Sequence, residues 1–217
     1  MRATNTTLTG FIPSDARRIR AQTGLKRGFD LIGGTALLVT LSPLLLVIAL
    51  AVKLSSPGPA IFRQTRLGAN GRPFTLLKFR TMTPNAAAFT QASRDDPRIT
   101  PIGGFLRRTS LDELPQLINV IRGEMSLVGP RPHAPETEVE GMLFEAAVQS
   151  YHQRHQVKPG ITGLAQIRGQ RGPTPVVASL AQRLDSDLEY VESWSLSLDM
   201  LILLRTLPAI LRQTNAY

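Results

Sequence analysis

Hydrophobic residues are unevenly spread along this chain. From Leu31 to Val52 it reads LIGGTALLVTLSPLLLVIALAV without a charge, a run as long as the roughly 20 residues that cross a bilayer as a helix. A cleaved signal peptide would explain the run differently. However, the run starts thirty residues in, exceeds a signal h-region and lacks a small-x-small cleavage site before folded sequence resumes. Ser42-Pro43 falls mid-run, where proline removes a backbone donor and kinks a helix. The preceding flank carries Arg17, Arg18, Arg20, Lys26 and Arg27, and the following one Lys53, Arg63, Arg66, Arg72, Lys78 and Arg80 with no acid between Lys53 and Arg80. A spanning helix leaves one flank poor in Lys and Arg, whereas a re-entrant helix-break-helix keeps both on the cytoplasmic side. The charges favour a re-entrant membrane helix over residues 26–56, with an ordinary kinked span as the alternative.

A second apolar stretch, Leu196 to Leu211, is interrupted by Asp199 and Arg205 and is not a span. Leu196, Met200, Leu203, Leu204 and Leu207 recur at helical spacing behind Trp194, and Arg205 and Arg212 suit lipid phosphates. That is the pattern of an interfacial helix, and equally of a core helix closing the domain. Between the two stretches, Pro59–Gln64 and Phe74–Phe79 read as short strands joined by a turn over Leu67–Gly71. Residues 83–101 lack sustained periodicity and read as loop with at most one short helix. Helical patterns follow over 112–122, 136–157 and 176–192, separated by Gly- and Pro-rich connections. The expected fold is α-rich α+β: a basic, poorly ordered leader over 1–25, the membrane helix, and a small cytoplasmic catalytic domain over 57–217.

Composition sharpens this. The 217 residues suffice for one domain with an appendage, and 42% hydrophobic with 19% charged residues excludes both a disordered tail and a polytopic membrane protein. Lys and Arg number 25 against 16 Asp and Glu, a net charge of +9 that calls for an anionic partner. With no cysteine there is no disulfide framework, thiolate metal site or Cys nucleophile.

No P-loop, G-x-G-x-x-G or H-E-x-x-H is present. His152 and His155 lack a third ligand, and the Asn5-Thr6-Thr7 sequon means little on a cytoplasmic segment. Asp185-Ser186-Asp187 is a D-x-D triplet of the kind that holds a metal against a diphosphate, although the strand-helix alternation of a nucleotide-binding sheet is missing. The denser signal is Arg107-Arg108-Thr109-Ser110-Leu111-Asp112-Glu113. An Asp can attack phosphorus, a neighbouring carboxylate can manage protons or metal, and arginines bind phosphoryl oxygens bidentately. The competing reading is a capping box, Ser110-x-x-Glu113, with acids favoured by the helix dipole. Gly129-Pro130-Arg131-Pro132 and Lys158-Pro159-Gly160-Ile161-Thr162-Gly163 are rigid turns, each presenting one cation.

In order, these pieces resemble the bacterial sugar transferases, the monotopic phosphoglycosyl transferases that move a sugar 1-phosphate from a nucleotide sugar onto polyprenyl phosphate. The resemblance covers about residues 26–211. It rests on Lys26-Arg27-x-Phe29-Asp30, Ser42-Pro43, Ser56-Pro57-Gly58-Pro59, Lys78-Phe79-Arg80-Thr81-Met82, Asp96-Pro97-Arg98-Ile99-Thr100, Arg108 through Leu117, Met125 through Pro132, Lys158 through Gly163, and Asp187 through Trp194. It implies Asp112 as nucleophile, Glu113 as its dyad partner, magnesium as cofactor at Asp112, and Arg131 as a phosphate-binding arginine. Arg107, Arg108 and Lys158 join it as candidate phosphate ligands.

The implied reaction is two-step: Asp112 attacks the phosphorus bearing the sugar, UMP leaves, and polyprenyl phosphate takes the phosphosugar from the enzyme. The implied partners are a UDP-sugar, polyprenyl phosphate and anionic lipids at the bacterial inner membrane, with no nucleic acid, and a homodimer is left open. The family commonly carries a basic residue after Thr100 and again near Gly104, where this chain has Pro101 and Gly104. It also departs from the family pattern at Gln166-Ile167-Arg168-Gly169-Gln170-Arg171-Gly172-Pro173, which leaves the sugar open. Two other classes stay in view: a basic membrane adaptor without catalysis, and a D-x-D glycosyltransferase releasing UDP.

Overall fold

The computed structural model describes residues 16–83 and 96–211. It opens with α1 (Ala16–Ser55), which carries Pro43 inside it, then β1 (Ile61–Leu67) and β2 (Pro73–Phe79). The chain continues as α2 (Pro101–Thr109), α3 (Gln116–Arg122), β3 (Ser126–Val128), β4 (Glu138–Val139), β5 (Met142–Leu143) and α4 (Phe144–Ala147). It ends with β6 (Gly160–Thr162), α5 (Leu164–Ile167), α6 (Val177–Ser193) and α7 (Leu196–Leu211). Helix dominates and the strands pair only in twos, β1 with β2 antiparallel, β3 with β6 parallel and β4 with β5 antiparallel.

α1 is long and apolar enough to cross a membrane, yet both of its halves dock on the same domain. In the first half, Lys26 Nζ donates to Asp199 at 2.7 Å and Arg27 donates to the Val120 and Ile121 carbonyls at the end of α3. Asp30 accepts from Ser126 Oγ and from the Leu127 N–H. Phe29 and Leu38 pack on the main core of Leu76, Leu117, Val120, Met125, Leu127, Val128, Leu164, Tyr190 and Ile202. In the second half, Leu45, Ile48, Ala49 and Val52 pack with Phe79 and Leu106. There Arg80 closes the end of α1 by donating to the Ser56, Pro57 and Val52 carbonyls. Cations thus sit where helix carbonyls and dipoles favour them.

Only residues 39–44 lie between these docked segments. Six helical residues rise about 9 Å, far short of the roughly 30 Å hydrocarbon core. The outward face is mostly apolar, with Ile32, Leu46 and Leu54 each more than 70% exposed and Thr35, Thr40 and Ser42 among them. α1 stays helical through Ser42-Pro43, so the break expected there does not form; Ser42 bonds back to the Val39 carbonyl at 2.8 Å. The helix starts at Ala16, so residues 16–25 of the expected leader are helical; residues 1–15, including the sequon, lie outside the described residues.

The expected hairpin forms, with Asn70 and Gly71 both at positive φ in its turn. Most of the expected loop over 83–101 lies outside the described residues. The helix expected over 136–157 does not form. Glu140 and Gly141 both take positive φ, the geometry of a tight hairpin turn, and the segment becomes β4, β5, α4 and a 3-10 turn over Tyr151–Gln156. Val139, Phe144 and Tyr151 then pack with Leu180 and Leu184 of α6 as a satellite core. α7 combines both readings of its sequence. Asp199 and Ile202 are wholly buried, while Met200, Leu201, Leu204 and Leu207 are exposed; Leu203, expected on that outer face, packs against the core.

The two rigid turns meet backbone to backbone. Gly129 N–H donates to Thr162 O, Gly160 N–H to Pro130 O, and Ser126 N–H to Pro159 O. A Cβ at Gly160 would fall 2.1 Å from Gly129 N and 2.4 Å from Thr162 O, contacts that no side chain can make. Gly160→Ala is therefore expected to cost about 2 kcal/mol or more as overpacking, lowering Tm by several degrees. Gly28→Ala, whose Cβ meets open space, should melt like the wild type in the same detergent; equal melting of both variants would refute the close approach.

Candidate active site

Asp112 and Glu113 occupy a single 3-10 turn, Leu111–Glu113, between α2 and α3. α2 begins at Thr100, whose Oγ1 accepts from Gly103 N–H, with Pro101 at the first helical position. It ends at Ser110, which takes a left-handed conformation (φ 57°). That turn decides between the two readings of Ser110-x-x-Glu113: Ser110 makes no side-chain cap, and its hydroxyl accepts from Arg171 at 2.7 Å. The capping box does not form, because Ser110 closes the helix before it and Glu113 turns to other partners. α3 is fixed against β2 by Asn119, wholly buried, which accepts from Leu77 N–H and donates to Thr75 O and Glu124. This lock sets the dyad turn beside Lys78.

The two carboxylates have unlike surroundings. Glu113 receives Lys78 Nζ at 2.9 Å on Oε1, with Arg131 NH2 on the same oxygen and Arg131 NH1 on Oε2 at 3.1 Å. Burial alone would raise its pKa, but Arg131 and Lys78 outweigh it and hold the carboxyl well below its usual range. Asp112 is equally buried, and no hydrogen bond engages its carboxylate among the described residues. Burial, with Glu113 alongside, pushes its pKa up to about 6 against the pull of Lys78, Arg131 and Arg107. One acid is tied and charged; the other is desolvated and uncommitted, as a nucleophile should be.

Arg131 and Arg107 reach this centre, as their motif suggested. Arg108 does not: it is exposed on α2, its guanidinium reaching back toward Gly104. Lys158 lies elsewhere too, beside Gly123 and among Arg27, Lys26 and Asp30 where α1 docks. Three cations not among the candidate ligands also face the site. Lys78 and Arg66 come from the hairpin and Arg171 from the loop after α5; burial lowers the pKa of each, that of Arg66 to about 10 with Arg131 contributing.

The D-x-D triplet forms no metal site. Asp185 is exposed, while Asp187 is buried in an ion pair with Arg154, because residues two apart on a helix face apart. Arg154 also donates to the Arg131 carbonyl at 2.6 Å and to Tyr151, so this pair steadies the turn that carries Arg131. No cluster of three or more metal-binding side chains exists among the described residues. Asp112 fits magnesium only as magnesium usually binds, through one or two protein carboxylates with substrate phosphate and water supplying the rest.

The decisive comparison is with the bacterial sugar transferase family, whose model matches residues 21–213. The chain belongs to that family. Among the relatives of this sugar transferase, the UDP-glucose:undecaprenyl-phosphate glucose-1-phosphate transferase of Caulobacter vibrioides is 50% identical over 194 residues, covering 88% of this chain and 72% of the relative. The Escherichia coli K12 protein of the same name is 52% identical over 84% of this chain but 39% of its own length. The exopolysaccharide production protein PSS of Rhizobium leguminosarum bv. phaseoli is 47% identical over 89% of this chain and 98% of its own. The transferase thus spans most of some relatives and well under half of others.

The raised Asp112 pKa has a thermodynamic consequence. A carboxyl bound to its proton more tightly in the fold than in the unfolded chain destabilises the fold once ionised. The cost is absent below the unfolded value near 3.8 and complete above about 6. Asp112→Asn should therefore be more stable than the wild type at pH 8, by up to roughly 3 kcal/mol for a shift of about two units. The gap should close below about pH 4 in thermal melts; equal stability at pH 8 would contradict a desolvated Asp112.

Proposed function

We propose that this transferase moves glucose 1-phosphate from UDP-glucose to undecaprenyl phosphate, the first membrane step of exopolysaccharide assembly. The donor and acceptor come from the names of its relatives. The observation that carries the mechanism is the asymmetry of the dyad: Glu113 is committed to Lys78 and Arg131, while Asp112 is not.

In the first half-reaction an Asp112 carboxylate oxygen attacks the sugar-bearing phosphorus. The new P–O bond forms as the bond to the bridging oxygen breaks, and UMP leaves with that electron pair. In the second, a phosphate oxygen of the acceptor attacks the same phosphorus and Asp112 departs as a free carboxylate. Glu113 does not attack; it holds Arg131 and Lys78 where charge builds on the phosphoryl oxygens, and Arg107 and Arg66 add to that field. Magnesium at Asp112, arriving with the diphosphate, would neutralise the donor's charge.

We also read α1 as re-entrant, both flanks on the cytoplasmic face of the inner membrane, with the exposed side of α7 resting among anionic lipids. Supporting this are the docking of both halves of α1 on one domain and the six residues between them.

Three outcomes check these readings. UDP-glucose with magnesium and undecaprenyl phosphate should yield UMP, never UDP, and Asp112→Asn should lose more than about 1000-fold in turnover; near-normal turnover would remove Asp112 as nucleophile. The wild-type rate of the first half-reaction should fall in acid as the nucleophile is protonated, with a midpoint drawn below about 6 by magnesium at Asp112. Since the chain has no cysteine, single-Cys variants at residues 20 and 56 should both resist a membrane-impermeant thiol reagent in intact cells; labelling of either from outside would overturn the re-entrant topology.

A further inference from the structure

We infer that the cavity between the dyad turn, α5 and the last two turns of α7 takes the phosphate end and first isoprene units of the lipid acceptor. This rests on the reaction proposed above. The cavity is small, about 70 Å3, and opens to solvent, so it has room for a phosphate and the start of a chain and not for a whole nucleotide sugar. Glu113 and Arg131 line it together with Ser110 and Arg171, so it is continuous with the reacting centre.

Its walls have two characters. At the charged end, Arg171 makes a single hydrogen bond among the described residues, to the Ser110 hydroxyl, and no ion pair. Its other guanidinium donors are left for an anion, and a guanidinium fork suits a phosphate. Away from that end the lining is Leu114, Ile161, Ile167, Ala209 and Ile210. Thr162 and Thr206 also line it, but their hydroxyls bond to each other at 2.8 Å, and Thr206 back to Ile202 O. Both of their hydroxyl donors are thereby used within the protein. Among the described residues that line the cavity, only Gln166 keeps a buried polar atom, Oε1, without a partner. Its amide nitrogen meets the Ile161 carbonyl at 3.5 Å, so the oxygen is the atom left to face a ligand.

The occupant is therefore an anion followed by an apolar chain. Beyond the charged end the lining is chiefly apolar, which suits a hydrocarbon chain better than the several hydroxyls of a sugar ring. The far wall is α7, whose outer face exposes Met200, Leu201, Leu204 and Leu207. A helix lying in lipid with its inner face on the reacting centre gives a polyprenyl chain a path from the bilayer to Asp112.

Two variants test this because the half-reactions separate. Ala209→Trp fills the cavity from α7, and Arg171→Gln removes the free guanidinium. In nanodiscs, each should raise the acceptor KM for undecaprenyl phosphate about tenfold or more; with Ala209→Trp, UDP-glucose alone still gives a burst of one UMP per enzyme at unchanged donor KM, and with Arg171→Gln the acceptor KM rises at least tenfold more than the donor KM. Arg171→Lys should recover part of the loss. A raised donor KM or a smaller burst, with acceptor KM unchanged, would assign the cavity to the nucleotide sugar and overturn the inference. So would two variants with both KM values unchanged. If Ala209→Trp melts below the assay temperature, Arg171→Gln decides alone. Absence of any burst in the wild type would instead overturn the two-step reaction itself.

Discussion

Glu113 is where three separate parts of the chain are held together, and the site depends on its remaining charged. Its carboxylate faces Lys78 from the hairpin and Arg131 from the turn after β3. Taking a carboxylate out of water costs several kcal/mol unless charges and hydrogen bonds replace the solvent. Here two cations and three hydrogen bonds do so. The arrangement extends outward through neighbours that no reacting group touches. Asn119 fixes β2 against α3, and Arg154 with Asp187 fixes the Arg131 carbonyl. These buried polar contacts keep the dyad turn in one geometry.

Asp112 follows from this placement. It shares the buried turn but not the partners, so its ionised form is destabilised relative to water and surrounded by cations not paired to it. In the proposed reaction, desolvation makes the carboxylate reactive and the surrounding cations meet the phosphoryl oxygens. The chain's net charge of +9 thereby acquires locations. Part of it lines the reacting centre, and part, at Arg27 and Arg80, caps helix carbonyls that tie α1 to the domain. The membrane helix and the catalytic turn are one structure.

What the sequence revealed and hid follows from distance along the chain. The apolar run of α1, the hairpin strands, α6 and α7 were legible because their signals are local and periodic. Asp112, Glu113 and Arg131 were legible because adjacent acids and rigid turns are short patterns. The contributions of Lys78, Arg66 and Arg171 were not, since each arrives from a segment 35 or more residues from Glu113 and only the fold brings them together. Local patterns also misled where backbone conformation overrode them: left-handed Ser110 cancels the capping box, and the turn at Glu140-Gly141 breaks an expected helix. Lys158, a cation on a turn like Arg131, docks with α1 because pairing of β3 with β6 aims the two turns differently.

The most direct test of a covalent aspartate is the mass of the protein itself. After seconds with UDP-glucose and magnesium, without acceptor and quenched in acid, the account predicts a hexose phosphate added once and mapped by peptide sequencing to Asp112. It should vanish on a brief chase with undecaprenyl phosphate. An adduct on any other residue, or full turnover with no adduct at any time, would contradict it.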